Sequence, residues 1–321
     1  MKIVILDGHA LNPGDLSWKC FEEFGSITYY DRTKSEADTI ARIADADIIL
    51  LNKTPITANV IQTCPNIKLI CVLATGYNVV DYEAAAKKGI PVCNVPGYGT
   101  DAVAQFTLAL LLELCHRVQI HSQSVDDGEW SSCPDFCYWK SPQIELWGKT
   151  FGIFGYGSIG KSVAAIAQAL GMKVVCCTRT PSKIPQDSGI IPLEFDEFLA
   201  TADVISLHSP LTPQTENLIC ADSMAKMKKG VIIINTARGP LVQEQDMAAA
   251  LKSGQVGWYA ADVVCKEPMA QDNPLLGIPN CIITPHIAWA TQEARSRLMA
   301  IAADNIKGFQ QGNPVNVVNK N

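Results

Sequence analysis

Short apolar runs alternate with longer mixed stretches through the first third of the chain. KIVILDG (2–8), SITYYD (26–31), ADIILLN (46–52), IKLICVLATG (67–76) and GIPVCNVP (89–96) are mostly continuous apolar segments. A strand with one face in water alternates apolar and polar residues, whereas a continuous run is covered on both faces. These runs therefore predict a parallel sheet with crossover helices. A second alternation begins at Lys149, where TFGIFGYG, MKVVCCTRT, DVISLH, GVIIINTA, VGWYAADV and NCIITPH give six strand candidates, with helical segments between the first five. Six strands wound with helices is the strand count of a full dinucleotide-binding fold.

Between the two alternations, Thr100 and Asp101 are capping residue types, followed by VAQFTLALLLELCHRV. That helix is apolar over more than one face, which predicts burial, in part against a second subunit. A polar, aromatic-rich connection follows from Ser122 to Glu145, and a last helix, roughly Thr291 to Gln311, precedes NPVNVVN. No low-complexity segment or short-period repeat interrupts this α/β rhythm.

Composition narrows the class. A length of 321 residues suits two domains rather than one compact core. The formal charge of −6 gives no electrostatic reason to expect nucleic acid or an anionic membrane as partner. The opening apolar run, closed by Asp7, is too short for a signal-peptide core, and Phe106 to Leu114 falls short of a membrane span. A cytoplasmic protein is expected. The twelve cysteines include no CxxC pair, and Cys71, Cys93, Cys176 and Cys177 lie inside strand-like runs, where Cys acts as a small hydrophobe. Reduced thiols and no metal site are expected, because Cys133 and Cys137, with His116 and His121 upstream, do not match zinc-ligand spacing.

Gly155-Tyr156-Gly157-Ser158-Ile159-Gly160 follows the strand TFGIF and opens the helix SIGKSVAAIAQAL. In that context the first glycine permits a tight turn, the second lets backbone approach a pyrophosphate, and the third lets helix pack on strand. The helix N-terminus adds N–H groups and a positive dipole end. An NAD site would place Asp or Glu about 20 residues further on, to accept the ribose hydroxyls. Here the second strand ends in Thr178-Arg179-Thr180, with no acid. Without a carboxylate to repel it, a 2′-phosphate could bond Arg179, which favours NADP(H) and leaves NAD(H) possible.

Reduction of a 2-keto acid needs a grip on a carboxylate, a polariser for the ketone and an acid for its oxygen. Arginine suits the first two through its planar, permanently charged fork, and histidine suits the third, with a carboxylate to hold its tautomer. Arg238 follows GVIIINTA, Glu267 follows VGWYAADV and His286 ends CIITPH, so all three fall at C-terminal strand ends, where open α/β sheets bind ligands. Each has a plain alternative as a surface, loop or capped residue; the joint placement carries the assignment. Asp262, amid Ala260, Ala261, Val263 and Val264, needs a partner, either a nicotinamide carboxamide or a hydrogen bond within its own loop. His208 ends a further strand and reads as a lining residue.

Together these segments are recognisable. The chain resembles the D-isomer-specific 2-hydroxyacid dehydrogenase family over essentially its whole length. The matches are LATGYNVVD (73–81), NVPGYGTD (94–101), the glycine motif, HSPLT (208–212), MKKGVIIINTARGPLV (227–242), AADVVCKEP and TPHIAWAT. The stretch Pro134 to Trp139 and HIAWATQEAR look most like its glycerate dehydrogenase, or hydroxypyruvate reductase, branch. The resemblance implies that Arg238 binds substrate carboxylate and carbonyl, that His286 is the general acid and that Glu267 is its partner. It implies that the backbone amides of Thr75 and Gly76 meet the substrate carboxylate, and that Asp262, Thr236 and Ala237 meet the nicotinamide, with His208 and Pro210 beside the cofactor. It further implies two doubly wound parallel-sheet domains: a flavodoxin-like, discontinuous substrate domain (1–98 and 290–321) and a Rossmann dinucleotide-binding domain (99–289). The helix 101–118 would build a homodimer interface.

Thr178 departs from the family pattern, since NAD-using members usually carry Asp there. A formate dehydrogenase would carry Gln before the histidine, and a phosphoglycerate dehydrogenase would need a basic pocket that Ala74 to Asn78 does not offer. A D-lactate dehydrogenase-type enzyme and a cofactor-sensing binding protein akin to the co-repressors of this fold remain as alternatives. Hydroxypyruvate, glyoxylate and pyruvate are not ranked by the sequence.

Overall fold

The computed structural model describes residues 1–319. The chain divides into two compact units, one formed by Met1–Gly99 with the segment from Trp289 onward, the other by Thr100–Ala288.

In the first unit, β1 (Lys2–Ile5), β2 (Ser26–Tyr29), β3 (Ile48–Leu51), β4 (Leu69–Val72) and β5 (Val92–Cys93) form a parallel sheet in the order β2-β1-β3-β4-β5. This is the flavodoxin-like order. Every residue of β3 and β4 is buried, as continuous apolar runs require. At β2 the expectation of two covered faces fails: SITY is an edge strand with no fully buried residue, and Tyr29 stays 58% exposed.

The helix Gln292–Gln310 belongs to this unit. Thr291 caps it by accepting from Ala294 N–H, and Leu298, Met299, Ala302 and Ile306 pack among Ile3, Ile5, Leu50 and Cys71. Each Leu, Ile or Met side chain so buried contributes roughly 1.5–3 kcal/mol. The tail beyond the helix then pairs with the sheet through an antiparallel bridge, Cys93 to Val317.

The second unit contains β6 (Thr150–Phe154), β7 (Lys173–Cys177), β8 (Ile191–Pro192), β9 (Val204–Leu207), β10 (Val231–Asn235), β11 (Val256–Ala261) and β12 (Cys281–Ile283). Their order is β12-β11-β10-β9-β6-β7-β8, all parallel. Counted from β6 as first, it is the 3-2-1-4-5-6 arrangement of dinucleotide-binding sheets with one further strand. The strand absent from the sequence expectation is β8. It is a two-residue, exposed edge strand containing Pro192, which cannot donate to a ladder, so it carries no strand pattern.

The helix Thr100–His116 begins at Thr100 and buries residues around several faces, with Leu108, Leu111, Leu114 and Cys115 packed among Phe151, Ile153, Val163 and Ala164. Arg117 at φ 48° ends it, and a second helix, Val118–Asp126, follows. The expected irregular connection from Ser122 therefore starts only after Asp126. Among the described residues, no single helix is long and apolar enough to cross a membrane.

Candidate active site

The glycine turn is shaped by steric necessity. Gly155 sits at φ 101°, where an L side chain is strained, and an added Cβ would lie 2.9 Å from the His208 carbonyl. At Gly160 a Cβ would meet the Gly155 oxygen at 2.2 Å, so the helix Ser158–Ala169 rests directly on the turn. Gly157 occupies the N-cap with no side-chain cap, and a Cβ there would meet nothing within 4 Å. The backbone at this helix start is thus uncapped and open to close approach, as an anion site needs. Tyr156 and Ile159 are half-buried, Ser158 is exposed, and Lys161 Nζ lies 5.5 Å from the Tyr156 ring centre.

Around this turn the structure places Thr178 half-buried and Arg179 exposed after β7, with no carboxylate on either. His208 follows β9: its N–H donates to Phe154 O at 2.8 Å, and its ring Nε2 lies 2.8 Å from Ser206 Oγ. Desolvation pushes the imidazole down to about 3, which favours its neutral form. Pro210 is exposed beside it. The intervening Ser209 Oγ is buried with no protein partner. A buried hydroxyl without a partner costs free energy, and a polar ligand at this edge would remove that cost. Together with the uncapped helix start, it fits a dinucleotide bound here.

Asn235 organises the Arg238 loop, a role the sequence reading missed. Wholly buried at the end of β10, its side chain accepts from Ala237 N–H at 3.1 Å and donates to Arg238 O at 2.8 Å. Arg238 itself is exposed, one Nη bonded to Ala237 O at 2.6 Å. A Cβ on Gly239 would lie 2.0 Å from the Val264 carbonyl carbon, so the loop carrying Arg238 packs backbone to backbone on the loop leading to Glu267. Thr236 is buried with its Oγ1 2.9 Å from Thr107 Oγ1. The single proton of Thr107 goes to Val103 O at 2.8 Å, so Thr236 is the donor between them. Thr107 was also unforeseen; a hydroxyl amid the apolar residues of a leucine-rich helix was its only signal.

His286 and Glu267 meet. His286 Nδ1 lies 2.7 Å from Glu267 Oε2, and Glu267 Oε1 accepts from Val264 N–H at 3.3 Å. His286 stands at φ 56°, a conformation most L residues avoid. Asp262 explains how it persists. One carboxylate oxygen accepts from Thr284 Oγ1 at 2.6 Å and Ile287 N–H at 2.9 Å, and the other from Ala288 N–H at 2.7 Å. The loop is therefore pinned on both sides of His286. Of the two partners foreseen for Asp262, the loop hydrogen bonds are present. Cys265, between these residues, is exposed, and partial desolvation together with Glu244 pushes its thiol up to about 12.

The second unit thus gathers the glycine turn, Thr178, Arg179, His208, Thr236, Ala237, Arg238, Asp262, Glu267 and His286 at the C-terminal ends of its strands. Thr75 and Gly76 belong to the first unit, after β4. Among the described residues, no group of three or more His, Cys, Asp or Glu side chains is placed to hold a metal ion.

A dinucleotide-binding sheet that carries a guanidinium and a carboxylate-backed imidazole at its ligand edge defines a nicotinamide-dependent oxidoreductase. The family described as D-isomer specific 2-hydroxyacid dehydrogenase, NAD binding domain, matches residues 108–288. A hydroxypyruvate reductase of Blautia hydrogenotrophica is 54% identical over 100% of both chains. A glycerate dehydrogenase of Methylorubrum extorquens is 40% identical over 99% of this chain and 98% of its own. Among solved structures, an acyclic imino acid reductase in complex with NADPH and D-Arg superposes with a TM-score of 0.85 and 30% identity, covering 99% of this chain and 100% of that one. The chain belongs to the D-isomer-specific 2-hydroxyacid dehydrogenase family.

Proposed function

We propose that the chain is a hydroxypyruvate reductase that interconverts hydroxypyruvate and D-glycerate, with glyoxylate as a further substrate. The observation that carries this reading is the 2.7 Å contact of His286 with Glu267 on the strand edge that also holds Arg238 and the glycine turn. Full-length similarity to a hydroxypyruvate reductase and a glycerate dehydrogenase supports the substrate class. In this reading residues 1–98 and 290–321 are the substrate domain and 99–289 the cofactor domain.

Bound at the glycine turn, a reduced nicotinamide supplies the hydride. Arg238 holds the substrate carboxylate and draws electron density onto the keto oxygen through its fork. The Thr75 and Gly76 N–H groups add neutral donors to the carboxylate. His286 gives a proton from Nε2 to that oxygen, since Nδ1 is committed to Glu267. Glu267 keeps the ring oriented through its bond to Nδ1. Thr236, Ala237 and His208 line the nicotinamide side.

NADP(H) is the proposed preference, supported by the acid-free end of β7 and the exposed Arg179. A homodimer is supported by apolar side chains left exposed on the second unit, among them Val118, Val125, Trp130, Phe136 and Trp139. Cytoplasmic residence is supported by the twelve cysteines, all free thiols.

The test is a steady-state comparison of hydroxypyruvate, glyoxylate and pyruvate with NADPH and NADH. Hydroxypyruvate with NADPH is expected to give the highest kcat/KM. A preference for pyruvate would make the chain a D-lactate dehydrogenase-type enzyme. No turnover of any of the three would leave a cofactor-sensing binding protein.

A further inference from the structure

Two adjacent peptide groups after β4 have their carbonyl ends held and their amide ends free. Val95 N–H donates to Ala74 O at 3.0 Å, and Asn94 Nδ2 donates to Thr75 O at 2.8 Å. In a planar trans peptide the C=O and N–H point in opposite directions. The Ala74 carbonyl shares its plane with the Thr75 N–H, and the Thr75 carbonyl with the Gly76 N–H. Two donors from the 94–95 segment therefore turn both N–H groups away from themselves. Among the described residues neither N–H has a hydrogen-bond partner, and Thr75 is exposed while Gly76 is half-buried. Neighbouring free N–H groups of this kind form a concavity for an anion. A bond accepted at the carbonyl also polarises the peptide and strengthens the N–H at its other end.

Asn94 is itself held by residues far along the chain. Its carbonyl accepts from Asn305 Nδ2 at 2.9 Å, and its N–H donates to Asn316 O at 3.1 Å. Asn316 Nδ2 in turn donates to Asn305 Oδ1 at 2.8 Å. Asn305 is wholly buried in the helix Gln292–Gln310, and Asn316 stands at φ 53° in the tail beyond it. A buried amide is costly unless both its ends are bonded, and here both are. Thr75 Oγ1 closes the arrangement by donating to Val95 O at 2.9 Å. A helix, a tail and a loop thus converge on one peptide group.

We propose that Asn94 is a positioning residue that aims the Gly76 N–H at the substrate carboxylate, with Asn305 and Asn316 holding Asn94 in register. The inference rests on the keto-acid reading above. Asn94 does not touch the substrate; it acts through the Thr75–Gly76 peptide.

The test uses the full chain and three variants. Asn94→Ala removes the donor to Thr75 O. Asn94→Asp sets an acceptor against that carbonyl and adds a negative charge near the carboxylate. Asn316→Gly keeps the positive φ accessible and removes only the side-chain amide. KM for hydroxypyruvate is expected to rise about fivefold in Asn94→Ala, more in Asn94→Asp and about twofold in Asn316→Gly. In each, kcat should stay within about twofold and NADPH affinity, read by fluorescence titration, should not move. An unchanged KM in the Asn94 variants overturns the inference, as does a fall in kcat with KM unmoved. If Asn94→Ala does not fold, Asn316→Gly reads the same peptide, and an unchanged KM there is equally fatal. Wild-type protein without turnover sinks the keto-acid reading and this inference together; wild-type turnover with unmoved KM in the variants sinks only this one.

Discussion

His286 and Glu267 lie nineteen residues apart in sequence, yet the imidazole Nδ1 rests 2.7 Å from the Glu267 carboxylate. The reason lies in the sheet. Strands β11 and β12 are parallel neighbours, with Ala261 opposite Ile283, so both loops leave from the same edge. Because Nδ1 is spoken for, only Nε2 can face a ligand, and the ring has one useful orientation.

Glu267→Gln keeps the shape of the partner but removes its charge. Loss of that charge is expected to lower kcat/KM for hydroxypyruvate by on the order of 10² while NADPH affinity is retained. Steady-state kinetics beside a cofactor titration read both quantities. A variant with unaltered kcat/KM would mean the pair is only a structural contact.

Arg238 should behave more severely. Its loop is held by Asn235 through backbone contacts, so Arg238→Ala removes the guanidinium without unpinning the loop. A loss of about 10³ or more in kcat/KM is expected, from carboxylate binding and carbonyl polarisation together. Arg238→Lys should recover little, because an ammonium cannot make the paired bonds of a planar fork. Near-normal hydroxypyruvate reduction in Arg238→Ala would end the assignment.

Asp262→Asn tests the loop beneath His286. The amide can still accept from Thr284 and Ile287, but its NH2 then faces the Ala288 N–H, two donors without an acceptor. A stability loss of roughly 1–3 kcal/mol is expected, with kcat reduced through a looser His286. Chemical denaturation measures the first and kinetics the second. Unchanged values for both would show that the carboxylate charge is not what holds the loop.

Most of the fold could be read from the sequence because parallel strands buried on both faces leave continuous apolar runs, as at β3 and β4. The elements that escaped are those lacking that burial. Strand β8 is two residues long and includes a proline, and the helix Val118–Asp126 runs past Ser122, where polar residues suggested irregular chain. The charged site residues stood out by type and strand-end position. Asn235, Thr107 and Thr284 did not, because a neutral side chain that bonds backbone, another hydroxyl or a distant carboxylate leaves no mark on periodicity or charge. Their roles depend on which backbone atoms come near, and only the folded chain supplies that.

The proposed NADP(H) preference rests on the end of β7, where Thr178 and Arg179 stand. Thr178→Asp places a carboxylate where ribose hydroxyls would be accepted and a 2′-phosphate repelled, so the ratio of kcat/KM for NADPH over NADH is expected to fall about tenfold or more. Arg179→Ala should lower the same ratio by removing a cation from the phosphate. If neither variant moves it, Thr178 and Arg179 are not the selector.

His208 links the cofactor turn to stability in acid. Its folded value is pushed down to about 3 by desolvation, against about 6.5 for an unperturbed histidine. Between those values the unfolded chain binds a proton that the folded chain refuses, so stability falls as the pH drops. The contribution is complete above about pH 6.5 and is lost progressively toward pH 3, with a slope of at most about 1.4 kcal/mol per pH unit. His208→Gln has no such proton to bind. Denaturant melts from pH 7 to pH 4 should therefore show the wild type losing stability more steeply than the variant, whatever the difference between them at pH 7. Parallel curves would mean that His208 titrates freely in the folded protein, and that the imidazole beside Gly155 is not held neutral by burial.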